Sequence, residues 1–273
     1  MVQCGCSAGL ARGAASFEGV SAPLRSRHRS SGTGRAAQVT WHPRRERERA
    51  GSRAPHGGGD QEGIERLNTV MQERGRVAAI ILAAGASRRF GALKQLLPWG
   101  QGTLLSAVVD TALASSARPV VVVLGNRADD CRAALGERTV MVVVNESWER
   151  GQSTSVRAGL AALPQTIGAA LFLLADQPGI GLDTLEAVVE RYRATRAPVV
   201  WPEVAGRRGN PVLFSRDLFP ELMRLSGDVG GRPVLEAHAA EAERVPVADR
   251  GILYDIDTPD DYPTNTTPAT PRA

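Results

Sequence analysis

Three stretches of this chain run without a polar side chain: Val77 to Ala84, Pro119 to Leu124 and Ala169 to Ala175. A strand with one wet face alternates apolar and polar residues. Strands that do not alternate are buried on both faces, as in a parallel sheet covered by helices on either side. Between these runs the apolar period lengthens to that of a helix. Thr103 to Ser115 gathers Leu104, Leu105, Val108, Val109, Ala112 and Leu113 on one face. Ala128 to Leu135, Gln152 to Leu163 and Asp183 to Ala194 read as further helices. Alternating strands and helices predict an α/β fold, a three-layer α/β/α sandwich with a mostly parallel sheet.

The rest of the chain fills in this frame. Val140 to Val144 and Pro198 to Trp201 predict strands, with a polar hairpin over Pro202 to Gly209 and a returning strand over Pro211 to Phe214. Ser215 to Leu225 and Gly230 to His238 read as helices, and Arg244 to Val247 and Ile252 to Ile256 as short strands. Thr258 is placed to cap a last helical turn, with Pro259 at its first position. One folded domain is expected over 76–262, followed by a loose Pro/Thr-rich tail over 263–273.

Residues 1–75 have neither period. They carry 12 arginines against 7 acidic residues, with runs such as Arg44-Arg45-Glu46-Arg47 and Gly57-Gly58-Gly59. Such a composition buries too little apolar surface to offset chain entropy, so a disordered Arg/Gly/Ser-rich arm is expected. Met71 stands six residues before the first strand, and translation is expected to start there. Residues 76–273 hold 21 cations against 22 acids. The pI of about 9.4 therefore comes from the arm and indicates no nucleic-acid partner. Cys4, Cys6 and Cys131 form neither a disulfide framework nor a metal-ligand spacing. No apolar run reaches the roughly 18–20 residues of a membrane span, and the first residues lack a secretory pattern. A cytoplasmic protein with no membrane partner is expected.

The chemistry starts where the first apolar run ends. Gly85, Ala86 and Ser87 form a bend of small residues, followed by Arg88, Arg89, Gly91 and Lys94. Backbone N–H groups and cations just past the carboxyl end of a buried strand suit a polyphosphate. The bend is not a Walker A loop, because Ala92 follows Gly91 where lysine is required. Nor is it a dinucleotide fingerprint, because the second glycine is absent. A second element is Asp176, directly after the run Ala169 to Ala175. A carboxylate at that sheet edge is costly to desolvate unless it binds a cation. Mg²⁺ held by carboxylates and phosphates is the usual solution. A third is Asp255-Ile256-Asp257-Thr258-Pro259-Asp260-Asp261, in which alternation sets Asp255 and Asp257 on one face.

L-A-A-G-A-S-R-R-F-G followed by Lys94 resembles the signature L-A-A-G-x-S-x-R-x-G…K of nucleotidyltransferases of the MobA-like family. Asp257-Thr258-Pro259-Asp260-Asp261 resembles the D-T-P-E-D segment that closes many such domains. Four more segments are similar to those of molybdenum cofactor cytidylyltransferases. They are Asn145 to Ser155, read N-E-S-W-E-R-G-Q-S-T-S; Asp176-Gln177-Pro178; Arg207 to Phe214; and Gly227 to Arg232. The likeness covers Val77 to Tyr262. Glu146 stands where the family has proline, and Gly179-Ile180 where a larger apolar residue is common.

The resemblance implies a Rossmann-like, nucleotide-diphospho-sugar transferase (glycosyltransferase-A-type) fold. It implies an Mg²⁺-dependent transfer of CMP from CTP to the terminal phosphate of molybdenum cofactor, with a recipient molybdoenzyme or its chaperone as partner. In that pattern Arg89, Lys94 and Asp176 are catalytic, and Asp176 and Asp257 hold the metal, with Asp255 as the fallback. Leu82, Ala83, Ala84, Gly85 and Ser87 would face the nucleotide, as would Gly151, Ser153 and Ser155. Gly209, Asn210, Gly227 and Asp228 would face the acceptor. Other readings stay open: GTP, or a sugar phosphate or phospholactate acceptor, within the same class. Outside it stand an NAD(P)-binding oxidoreductase and a non-catalytic cofactor chaperone.

Overall fold

A computed structural model of the protein describes residues 75–87, 90 and 92–262. The arm with its Met71 start, Arg88, Arg89, Gly91 and the tail fall outside the described residues. The first strand, β1 (Val77–Ala83), leads through the bend to a hairpin of β2 (Pro98–Trp99) and β3 (Gly102–Thr103), then to α1 (Leu104–Ala114). There follow β4 (Val120–Leu124), α2 (Ala128–Leu135), β5 (Met141–Val144), α3 (Gln152–Ala161), β6 (Ala169–Leu174) and α4 (Leu182–Thr195). The second half holds β7 (Val199–Val204), β8 (Arg207–Arg208), β9 (Val212–Ser215), α5 (Phe219–Leu222), α6 (Arg232–Ala237) and β10 (Glu243–Pro246).

The main sheet has the order β10-β7-β9-β6-β1-β4-β5, with β8 paired to β7. Strands β6, β1, β4 and β5 run parallel, as does β10 to β7. β9 is antiparallel to both β6 and β7, so the sheet is mixed around a parallel core. The short return through β8 leaves β9 no other direction, because a parallel pair needs a long crossover.

Alternate residues of β1 serve opposite layers. Ala79 and Ile81 join Leu105, Val108 and Val109 of α1 and Leu185 and Val188 of α4. Ala78 and Ile80 pack instead with Val156 and Leu160 of α3, Leu222 of α5 and Leu235 of α6. Both faces of the central strands are therefore dry, which is why their sequence does not alternate. Cys131 of α2 is free and buried in the first of these layers. Burial, helped by neighbouring Asp130, pushes its thiol up to about 11, so it is a poor nucleophile.

Several local expectations are corrected. The hairpin β2–β3 was not expected; Gly100 turns it at φ +57. Thr103 then caps α1, accepting from the Ser106 N–H at 3.2 Å while its own N–H donates to Ser106 Oγ at 2.8 Å. Ser215 to Leu225 breaks into a 3₁₀ turn and the four-residue α5, where Pro220 supplies no N–H. The helix expected from Gly230 starts at Arg232. Ile252 to Ile256 is not a strand. Asp249 accepts from the Gly251 N–H at 2.8 Å and starts a 3₁₀ turn over Arg250–Leu253. Among the described residues, no helix is long and apolar enough to cross a membrane.

Candidate active site

β1 and β6 pair directly, Leu82 against Leu174. Parallel neighbours end on the same sheet edge, so the bend after β1 and Asp176 after β6 come together there. The Asp176 carbonyl accepts from the Ile256 N–H at 3.0 Å, which brings the C-terminal segment to the same edge. Asp261 fixes that segment by accepting from the Thr258 N–H and hydroxyl, both at 2.8 Å. Those bonds hold the Asp261 carboxyl below the usual carboxylate range. Asp257 is thereby placed opposite Asp176.

Lys94, from the 3₁₀ turn Lys94–Leu96, bridges the two. Its Nζ donates to Asp176 Oδ2 at 2.6 Å and to Asp257 Oδ1 at 3.0 Å. Burial opposes its charge, but the two carboxylates, Asp176 foremost, outweigh that and raise its pKa above the usual lysine value. Lys94 is the only lysine in a chain otherwise rich in arginine. A compact ammonium fits between two carboxylates where a planar guanidinium would force them apart.

Asp176 Oδ1 is buried and has no hydrogen-bond partner among the described residues. An orphaned carboxylate oxygen, with a second carboxylate facing the same cation, fits a small hard metal ion. No group of three or more metal-ligating side chains occurs among the described residues. Mg²⁺ needs none, since one or two carboxylates plus substrate phosphates and water fill its shell. Asp255 does not join this pair. Its Oδ1 accepts from Gln177 Nε2 at 3.3 Å, and Gln177 Oε1 accepts from Asn210 Nδ2 at 2.9 Å. Burial first, then the charges of Asp176 and Asp257, raise the Asp255 pKa.

A cleft of about 490 Å³ opens over this cluster. Leu82, Ala84, Gly85, Ser87, Trp148, Gly151 and Ser155 line it together with Lys94, Asp176 and Asp257. Ala83 is buried and lies outside the lining. Ser153, expected to touch nucleotide, is fully buried; its hydroxyl donates to the Gly227 carbonyl at 2.7 Å. Arg89 cannot be placed, being outside the described residues.

The start of α3 is bolted to the loop that carries Gly227 and Asp228. Gln152 N–H donates to Asp228 Oδ1 at 3.1 Å, a carboxylate at a helix N-terminus, where the macrodipole favours it. Gly151 has φ +107, and a Cβ there would lie 2.4 Å from the Gly227 backbone. Gly151→Ala is expected to destabilise the domain by roughly 1–3 kcal/mol through that clash and the left-handed backbone. A denaturant melt checks this.

The four acceptor residues are dispersed. Asn210 and Asp228 line a second pocket of about 390 Å³ together with Phe172, Val212 and Arg208. It shares Leu82, Gln152, Leu174 and Asp228 with the cleft. Gly209 instead packs against Ile252, 2.5 Å from where its Cβ would be, and Gly227 serves α3. Gln95 was not among the site residues expected from the sequence, and Asp228 was expected at the acceptor rather than at α3. Gln95 lines the cleft yet is buried, and only its place beside Lys94 could have drawn attention to it. Asp228 as the cap of α3 could not be read, because 76 residues separate it from Gln152.

Residues 79–242 match the MobA-like NTP transferase domain. The chain belongs to this family. Its sheet and helices are those of the nucleotide-diphospho-sugar transferase fold, and it is a nucleotidyltransferase of the MobA-like type. It is 32% identical over 190 residues to the nicotine blue oxidoreductase of Paenarthrobacter nicotinovorans, covering 67% of this chain and 92% of that protein. It is 28% identical over 188 residues to the molybdenum cofactor cytidylyltransferase of Escherichia coli K12, covering 68% and 93%. Among solved structures, the Rv0371c protein of Mycobacterium tuberculosis H37Rv in complex with manganese aligns at a TM-score of 0.60 and 30% identity. That alignment covers 68% of this chain and 95% of the other.

Proposed function

We propose that this nucleotidyltransferase transfers CMP from CTP to the terminal phosphate of molybdenum cofactor and releases pyrophosphate. The observation that carries the reading is the convergence of Lys94, Asp176 and Asp257 in a cleft also lined by the Gly85–Ser87 bend. The Asn145–Ser155 and Asp176-Gln177-Pro178 segments, with the cytidylyltransferase relative, support the choice of CTP and acceptor. Asp176 and Asp257 would hold Mg²⁺, in keeping with the manganese bound by a relative. Bound there, the ion supplies positive charge to the reacting phosphates.

The chain's own residues do the rest by positioning and neutralisation. An oxygen of the acceptor phosphate forms a bond to the α-phosphorus as the α–β bridging bond breaks and pyrophosphate departs. That oxygen is already ionised, so no general base is needed. Lys94 and Arg89 hold the β and γ phosphates and offset the charge that builds on the leaving group. Backbone N–H groups of the bend complete the cradle, Gly151 to Ser155 face base and ribose, and the second pocket receives the acceptor beside Asn210. A cytoplasmic location and a recipient molybdoenzyme, or its chaperone, belong to the same reading.

Incubation with Mg²⁺, molybdenum cofactor and each NTP in turn tests it. Pyrophosphate and a cytidine dinucleotide, identified by mass spectrometry, are expected with CTP alone. Equal use of GTP or of a sugar phosphate would move the assignment within the class. One relative is named an oxidoreductase, which favours a second reading, hydride transfer from a nicotinamide. Loss of nicotinamide absorbance without pyrophosphate release would replace the first reading by the second.

A further inference from the structure

Gly85, Ala86 and Ser87 have almost no side chain with which to brace a bend, and the brace comes from outside it. Gln95 is 3% exposed, and a buried primary amide needs partners at both ends. Its Nε2 donates to the Gly85 carbonyl at 2.9 Å and to the Ala83 carbonyl at 3.5 Å. Its Oε1 accepts from the Ser87 hydroxyl at 3.1 Å. Carbonyl oxygens only accept, so the amide cannot be turned the other way without losing both. Ser87 Oγ in turn accepts from the Lys94 N–H at 3.1 Å.

Two consequences bear on an anion. In a planar trans peptide the C=O and the next residue's N–H point in opposite directions. With the Gly85 carbonyl committed to Gln95, the Ala86 N–H is directed away from Gln95, and a repelling carbonyl is kept from the same place. Ser87 has φ +52, a region that a residue with a Cβ seldom adopts. Its bonds to Gln95 and to the Lys94 N–H hold it there, and they tie the bend to the turn that carries the Lys94 ammonium.

We propose that Gln95 is a positioning residue of the nucleotide site. Its amide holds the Gly85–Ser87 bend in the one shape that offers backbone N–H groups to a triphosphate in register with Lys94. This rests on the nucleotidyltransferase reading of the same cleft. An alternative account makes Gln95 a core residue that only stabilises the fold. That account predicts a lower melting temperature with unchanged ligand affinity in the folded protein.

The test is calorimetric titration of inorganic tripolyphosphate with Mg²⁺ into the full chain, well below the melting temperature, for wild type, Gln95→Met and Ser87→Ala. Tripolyphosphate reads the phosphate cradle without the base. Gln95→Met is expected to bind it roughly tenfold or more weakly, the scale of losing oriented hydrogen bonds to a charged group. Ser87→Ala should lose less, in the same direction, and it carries the test should Gln95→Met not fold. In turnover, KM for the NTP should rise by a similar factor while kcat stays within about threefold. Wild-type affinity in folded Gln95→Met, or in Ser87→Ala where only that variant folds, overturns the inference and leaves the enzyme class intact. If wild type itself binds no tripolyphosphate, the triphosphate reading falls and the inference with it.

Discussion

Asp176→Asn lowers pyrophosphate release on the order of a hundredfold or more, the scale of removing charge that acts in the transition state. Asparagine has the same shape, so the sheet edge stays intact: the Asp176 carbonyl keeps its bond from Ile256, and β6 keeps its place beside β1. The loss therefore falls on turnover, with the fold retained. Oδ1 is buried without a partner and Oδ2 meets Lys94 at 2.6 Å, so an amide would place an N–H either against the ammonium or in the orphan position. A coupled pyrophosphate assay with a thermal melt on the same sample checks both halves. Near-normal turnover would remove Asp176 from the mechanism.

Lys94→Met is the second large effect, and it has two signs. Turnover should fall by roughly 10²–10³, as for deleting a preorganised stabiliser of departing charge. Divalent metal binding without nucleotide should tighten, because Lys94 is the cation that both Asp176 and Asp257 now share. Removing it takes away the ammonium between the two carboxylates, and a divalent ion can take the place of that positive charge. Titration of Mn²⁺ by electron paramagnetic resonance reads this without any turnover. Unchanged or weaker Mn²⁺ binding would mean that Lys94 and the metal do not compete for the carboxylates. Lys94→Arg should not rescue turnover, since a guanidinium cannot deliver a point charge between two carboxylates.

Much of this was legible in the chain itself. The unbroken apolar runs of β1, β4 and β6 could only be strands dry on both faces, and β1 and β6 are indeed parallel neighbours with helices on either side. A residue just past the end of a buried parallel strand lies at the sheet's carboxyl edge, so the Gly85 bend and Asp176 could each be assigned to that edge; that they are neighbours there follows from the pairing of β1 with β6. Local signals were weaker where competing local bonds decided the outcome. The Asp249 cap replaced the expected strand at Ile252 with a 3₁₀ turn, and the segment after Ser215 opens as a 3₁₀ turn before a short helix that takes Pro220 in its first turn. The place of Ser153 in the Gly151–Ser155 segment suggests a nucleotide contact. The structure gives its hydroxyl to Gly227 instead.

The sequence by itself determined the sheet, the bend and the identity of its charges, because burial and backbone geometry leave a signature within a few residues. Tertiary structure alone decided which of those charges meet. Lys94 reaches Asp257 across 163 residues, and Gly227 and Asp228 turn out to hold α3 rather than stand apart from it. Pairings of that range depend on strand order and on where the last segment crosses the sheet edge. Those are properties of the packed whole, and no window of residues encodes them.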